Sequence, residues 1–308
     1  MLLSLIRGRH ATLTGQGSTG IVVAILMIVT GCTGSAQPSV TATVPITLVF
    51  AAHGQPPAGA TPRQVTALVR HAWVTTAAAK TAILTAQTTT HYNASDYTTG
   101  ALSTTGMGPA VLPSAAADLQ YQAIPAGAWR WRFIGDTVYA ILPGPLDSGR
   151  AGWTRADLAH PDAGPGGVPP NPVNLLRYLS GSLTSVSATA AEVLDGTTVT
   201  RYDGNAELTA AAAAAPVGGA RIALRHIQTA TGSDHLFVQV WIDGTGRIRR
   251  LAYVDQSTAT STTVGSVAGV SPAAAVTFRS TSTTTLTLTD FGVRAAVTAP
   301  GLAQAPRS

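Results

Sequence analysis

The chain has 308 residues, 45% of them hydrophobic, which is enough for one large or two ordinary domains with a sizeable core and excludes disorder throughout. Only 11% are charged, which excludes long charged helices and coiled coils, because their solvent faces need abundant Glu, Lys and Arg. The formal charge of +5 resolves into Arg7 and Arg9 near the start, then Arg63, Arg70 and Lys80, with acids and bases in balance from Asp96 onward. A nucleic-acid-binding domain would cluster its basic excess on one face, so that class is set aside. One cysteine, Cys32, excludes an internal disulfide and a thiolate metal cluster.

The first predicted element is a targeting segment. Arg7, Arg9 and His10 stand without an acid before the apolar run Ile21–Val29, as in the n-region and h-region of an export signal. A spanning helix needs about 20 apolar residues. This run is shorter and is ended by Thr30, Gly31, Thr33, Gly34 and Ser35. Val29, Thr30, Gly31 and Cys32 then match the bacterial lipobox, in which the cysteine thiol receives diacylglycerol. The competing reading is a free cysteine behind an ordinary secretory signal, but the only cysteine in the chain falls where the motif requires it. The expectation is a signal peptide over 1–31 and an acylated N-terminus with a flexible tether over 32–60. The protein would then sit at the cell membrane, lipid-anchored on the extracytoplasmic face. Each buried methylene contributes about 0.8 kcal/mol, so two acyl chains hold firmly. Within the tether, the apolar stretch Ile46–Ala52 either adds an edge strand or lies on the membrane surface.

A helix start follows at Thr61-Pro62-Arg63-Gln64, with Thr as N-cap, Pro at the first helical position and Gln placed for a capping box. Val65, Leu68, Val69, Ala72, Trp73 and Thr76 give that helix one apolar face. A second start is Asn171-Pro172, followed by Val173, Leu175, Leu176 and Leu179, with Gly181 as the stop. Most of the rest reads as strand. Trp129, Trp131 and Phe133 alternate with Arg130 and Arg132, and Gly135-Asp136 turns the chain into Thr137–Leu142. Further hairpins centre on Asp195-Gly196 and on Asp243–Gly246, and Leu286–Thr289 looks like the last strand. His160–Pro172 reads as an exposed loop, and Ala210–Gly219 as a low-complexity insertion between strands. Successive hairpins make an antiparallel meander, and a sheet of many such strands curls into a barrel or half-barrel. The domain expected is single, over 61–300, with a disordered tail at 301–308.

The hairpin series carries a resemblance. Phe133–Tyr139, Gly152-Trp153-Thr154, Asn171–Leu176, Val193–Tyr202, Val240–Leu251 and Leu288–Gly292 resemble the LolA-like envelope lipoproteins of actinobacteria, of the LppX and LprG type. The resemblance spans roughly residues 61–300 through short degenerate motifs, and departs from the family at the alanine-rich 210–219 and in the long stretch before the first helix. It implies an α+β fold, a curved antiparallel sheet forming a half-open β-barrel with helices packed across its concave face. It also implies an apolar cavity for lipid or glycolipid, with no catalytic residues and no cofactor.

The residues themselves point to little chemistry. His53, His71, His91, His160, His226 and His235 are far apart, and only His235 has an acid beside it, so no metal site is expected. No nucleophile elbow and no phosphate loop occurs. The many Ser and Thr fit solvated strand faces. Val69, Trp73, Trp129, Trp131, Phe133, Leu176, Leu179 and Trp241 either line an acyl-chain cavity or fill an ordinary core. Arg247, Arg249 and Arg250 either meet a lipid phosphate at the cavity mouth or protect an edge strand with charge. The partners expected are the membrane, through the anchor, and a lipid or glycolipid ligand. An envelope sensor or adaptor that binds a protein with the same fold is the alternative.

Overall fold

The computed structural model describes residues 49–94, 99–124, 127–141, 152–158, 169–261 and 276–300. The expected signal peptide, Val29 to Cys32, most of the tether, most of the His160–Pro172 loop and the tail at 301–308 lie outside the described residues.

Helix α1 (Pro62–Ala78) starts where its side chains dictate. Thr61 Oγ1 accepts from the Gln64 N–H at 3.3 Å while Gln64 Oε1 accepts from the Thr61 N–H at 2.9 Å, so two otherwise unpaired helix-terminal donors are satisfied reciprocally. Helix α2 (Pro172–Gly181) is capped by Asn171, whose Oδ1 accepts from the Val173 N–H at 3.1 Å. The Asn171 amide also donates to the Ala115 carbonyl at 2.7 Å, which ties the helix start to the sheet. No helix among the described residues is long and apolar enough to cross a membrane.

Among the described residues, eleven strands form one antiparallel sheet. In chain order they are β1 (Thr81–Ala94), β2 (Thr99–Val111), β3 (Ala116–Ile124), β4 (Gly127–Ile134), β5 (Thr137–Ile141) and β6 (Thr154–Asp157). After α2 come β7 (Leu183–Leu194), β8 (Thr197–Glu207), β9 (His235–Asp243), β10 (Ile248–Ser261) and β11 (Val276–Thr289). The spatial order is β6-β5-β4-β3-β2-β1-β11-β10-β9-β8-β7, two meanders joined where β1 pairs with β11. The edges β6 and β7 do not pair, so the sheet is curved and unclosed. Because α2 follows β6 and precedes β7, the chain passes from one edge to the other, and α2 does so against the apolar face. This is the α+β half-barrel expected.

The hairpin turns behave as their residues require. Asp195 and Gly196 both take positive φ, 49° and 75°, as a type I′ turn demands, and Val193 and Leu194 pair with Thr198 and Thr197. Between β9 and β10 the buried Asp243 closes the loop by accepting from the Thr245 and Arg247 N–H groups at 2.9 and 3.1 Å. A register shift between Ile248 and Arg250 leaves the Ile248 N–H to be taken by the fully buried Thr76 Oγ1 at 2.8 Å, and Thr76 donates in turn to the Ala72 carbonyl at 2.7 Å.

Three expectations are corrected. The alanine-rich stretch is helical: α3 (Leu208–Ala214) and α4 (Gly219–Thr231) stand between β8 and β9, so the described residues hold four α-helices where two were expected. Alanine has the highest intrinsic helix propensity, and Ala220, Leu224 and Ile227 are buried at helical spacing. Second, of the Ile46–Ala52 stretch, the described residues form no strand. Phe50 packs edge-on against Tyr202, with ring centroids 6.0 Å apart. A short 3-10 turn at Ala52–Gly54 is pinned to β8, because Thr200 Oγ1 donates to the His53 carbonyl at 3.0 Å and the Tyr202 hydroxyl donates to that of Gly54 at 2.5 Å. Gly54 has φ 76°, and a Cβ there would stand 2.1 Å from the Ile242 carbonyl oxygen, so only glycine fits. The packed fold therefore begins before Thr61. The third correction concerns β10. It lies between β9 and β11, so Arg247, Arg249 and Arg250 do not guard a sheet edge. Strand order across the β1–β11 junction, which the local hairpins do not specify, decides this.

A hollow on the concave face

Alternation along each strand sends one set of side chains toward the helices. On β1 the inward series is Ala82, Leu84, Ala86, Thr88 and Thr90, and on β11 it is Leu288, Leu286, Thr284 and Ser282. Where the inward residues become small, a hollow of about 590 Å³ opens between sheet and helices. Its floor is Ala86, Thr88, Thr90, Thr104 and Tyr121, with Tyr253, Asp255, Ser282 and Thr284 opposite. Its roof is apolar: Pro169, Pro170, Pro172 and Leu175 at the start of α2, and Ile222, Ala223 and Ile227 on α4, with His226 beside them. Gly219, at the start of α4, lets that helix close on Leu158; a Cβ there would stand 2.3 Å from the Leu158 Cβ.

The floor hydroxyls are paired across strands. Thr88 and Thr284 are direct cross-strand partners with their Oγ1 atoms 3.1 Å apart, and Thr90 and Ser282 likewise at 3.0 Å. Burial pushes the Asp255 carboxyl above its ordinary range, partly offset by hydrogen bonding with Ser282. Burial also pushes the Tyr253 phenol up to about 12, against a hydrogen bond with Thr284, and the Asp255 charge adds to the rise. The Tyr121 phenol is raised for the same first reason, then by Tyr253. Among the described residues no three His, Cys, Asp or Glu side chains gather as a metal-binding group.

The eight apolar residues picked out from sequence lie elsewhere. Val69, Leu176 and Leu179 are fully buried in the core with Trp73, on the packed faces of α1 and α2. Trp131 and Phe133 are buried opposite Leu119 and Ala117 in the solid part of the concave side. Trp129 is half-buried and stacks on Tyr121, centroids 6.2 Å apart, one layer behind the hollow. Trp241 points to the opposite face of the sheet, since Val240 and Ile242 on either side of it enter the core. Its indole N–H donates to Glu192 at 2.9 Å, and Arg250 stacks on its ring at 5.7 Å.

The arginines also separate. Arg249 pairs with Asp243 at 2.9 Å, and both Arg247 and Arg249 lie over the Phe291 ring, at 5.3 and 5.0 Å. They border a second hollow of about 580 Å³ that shares no residue with the first and also contains Asp195 and Asp290, so its charges offset one another. Arg250 belongs to neither hollow. The residues that do line the concave hollow, above all Asp255 and the Thr and Ser row, were not picked out. The abundance of Ser and Thr reads as solvated faces, while the Leu288, Leu286 phase of β11 is the signal that turns Thr284 and Ser282 inward.

No protein-family profile matches the chain, and no curated protein matches it. Solved structures do. The lipoprotein LppX of Mycobacterium tuberculosis is similar at 11% identity and a TM-score of 0.41, over 76% of this chain and 97% of that one. LprF from Mycobacterium bovis is similar at 10% identity and a TM-score of 0.36, over 75% and 96% of the two chains. A LolA superfamily protein from Nitrosomonas europaea follows at 7% identity and a TM-score of 0.26, over 72% and 94%.

Proposed function

We propose that this protein is a membrane-anchored extracytoplasmic lipoprotein that binds or carries lipid or glycolipid in the concave hollow without catalysing a reaction on it. The observation that carries the reading is the hollow itself: about 590 Å³ left open beneath α2 and α4, with an apolar roof. Small-molecule sites occupy about 300–1,000 Å³ and are lined mainly by apolar groups with a few convergent polar ones. The roof residues Leu175, Ile222 and Ile227 offer dispersion contacts to a hydrocarbon chain and no reactive group. On the floor, Thr88 and Thr90 pair with Thr284 and Ser282 and not with a histidine or lysine. The attachment rests on the sequence alone: Cys32 at the end of Val29-Thr30-Gly31-Cys32 would carry the diacylglycerol.

The test is native mass spectrometry and organic extraction of the full chain purified from its own host. A co-purifying or exchangeable lipid is the expected result; protein that never carries or takes up lipid from its own membranes sinks the carrier reading. Replacing the thiol, Cys32→Ser, is expected to release the protein from the membrane fraction. Unchanged attachment, with no acyl label on the natural chain, defeats the anchor.

A further inference from the structure

We infer that the Thr and Ser row of β1 and β11, together with Asp255, is a head-group subsite that selects amphiphiles bearing free hydroxyl groups. The inference rests on the lipid-binding reading and deepens it. A hollow made only for hydrocarbon would be apolar on every side, because each polar group it desolvates without a partner costs free energy. This one is divided: the helical roof is apolar, while Thr88, Thr90, Thr104, Ser282 and Thr284 face it from the sheet.

Counting donors and acceptors narrows the ligand. Each hydroxyl has one hydrogen to donate and lone pairs to accept. In the Thr88–Thr284 pair one hydrogen is used between the partners and one remains, whereas in the Thr90–Ser282 pair the second hydrogen goes from Ser282 to Asp255 and the pair offers lone pairs only. An ionised carboxylate only accepts. The subsite therefore offers donors and acceptors side by side, with one strong acceptor at its margin. A ligand hydroxyl satisfies both kinds. An ammonium group only donates and would leave the spare Thr hydrogen without an acceptor; a methyl ester only accepts and would bring Asp255 no donor beyond Ser282. The described lining residues hold no Lys or Arg, so an anionic head group meets no permanent cation among them, only the His226 imidazole on the roof, and it faces the Asp255 carboxylate on the floor. A neutral polyol head on the floor with its acyl chain under Leu175, Ile222 and Ile227 meets every one of these conditions.

The full chain, held in lauryldimethylamine-oxide micelles and freed of them in the mass spectrometer, can be titrated with three probes of one chain length. These are 1-monolauroylglycerol, methyl laurate and dodecylamine. Monolauroylglycerol is expected to bind at least about tenfold more tightly than methyl laurate, the worth of one hydrogen bond to a charged group. That preference should fall to within about threefold in the near-isosteric double variant Thr90→Val, Ser282→Ala, and several-fold in Asp255→Asn, through loss of monolauroylglycerol affinity. Equal affinities for the two esters, or a preference untouched by either variant, overturns the subsite and leaves the lipid-binding function standing. Dodecylamine binding more tightly than monolauroylglycerol overturns the hydroxyl class. If no probe binds, the inference falls together with the function beneath it.

Discussion

Two ends of the same strands contrast. Along β1 the inward side chains run from Leu84, fully buried, to Ala86, Thr88 and Thr90; along β11 they run from Leu288 and Leu286 to Thr284 and Ser282; along β10 from Leu251 and Tyr253 to Asp255. At the leucine end, α1 and α2 close on the sheet and Val69, Leu176 and Leu179 reach full burial. At the threonine end the same sheet meets α4 and the start of α2 across open space. Interiors pack to near-crystal density when side chains reach one another, so the hollow arises from an exchange of large residues for small ones within an unbroken ladder. One end of the strand is packed solid and the other leaves open space.

That contrast can be broken most forcefully at the packed end. Phe133→Ala removes a fully buried ring and is expected to cost about 3–5 kcal/mol in urea unfolding. Thr76→Val strips the Ile248 N–H of its acceptor inside the core and is expected to cost about 1–3 kcal/mol, with faster amide exchange at Ile248. At the open end the sign should reverse: Thr88→Leu fills empty space, and is expected to stabilise by about 0.5–2 kcal/mol while lipid uptake falls. An equal loss of stability at both ends would refute the contrast. The smallest effect concerns Asp255. Its folded pKa is raised, so the native state holds this proton more tightly than the unfolded chain does. The stabilisation is fully present below the unfolded value and is lost as pH rises through the folded one. Melting temperatures of the natural chain and Asp255→Asn should therefore diverge in favour of the variant as pH rises from the ordinary carboxylate range into neutrality. Parallel curves would remove Asp255 as a buried acid.

Much of the scaffold was legible because it is locally encoded. Thr61 with Gln64, Asn171, and Asp195 with Gly196 each write one turn or helix end in a few residues, and all three act as their chemistry requires. The site was less legible. In Thr-Ala-Gln-Thr-Thr-Thr on β1 both faces carry threonine, so period-two patterning offers no contrast by which to tell inside from outside. Trp241 was readable and was misjudged: the phase of Val238, Val240 and Ile242 already turns it to the other face, where Glu192 and Arg250 cover it. Helix α4 is written in Ala220, Leu224 and Ile227 with the left-handed Gly232 at its end, a period that the low-complexity alanines beside it obscure.

The pinned turn before α1 has a mechanical consequence. A pull on the chain upstream of Val49 reaches β8 through the two hydrogen bonds on the His53 and Gly54 carbonyls before it reaches the first turn of α1. The load is shared with an inner strand of the sheet, and the capping box at Thr61 is spared. The chain therefore enters the packed fold at Phe50 and not at Thr61, so a force applied there loads the sheet before it loads the helix.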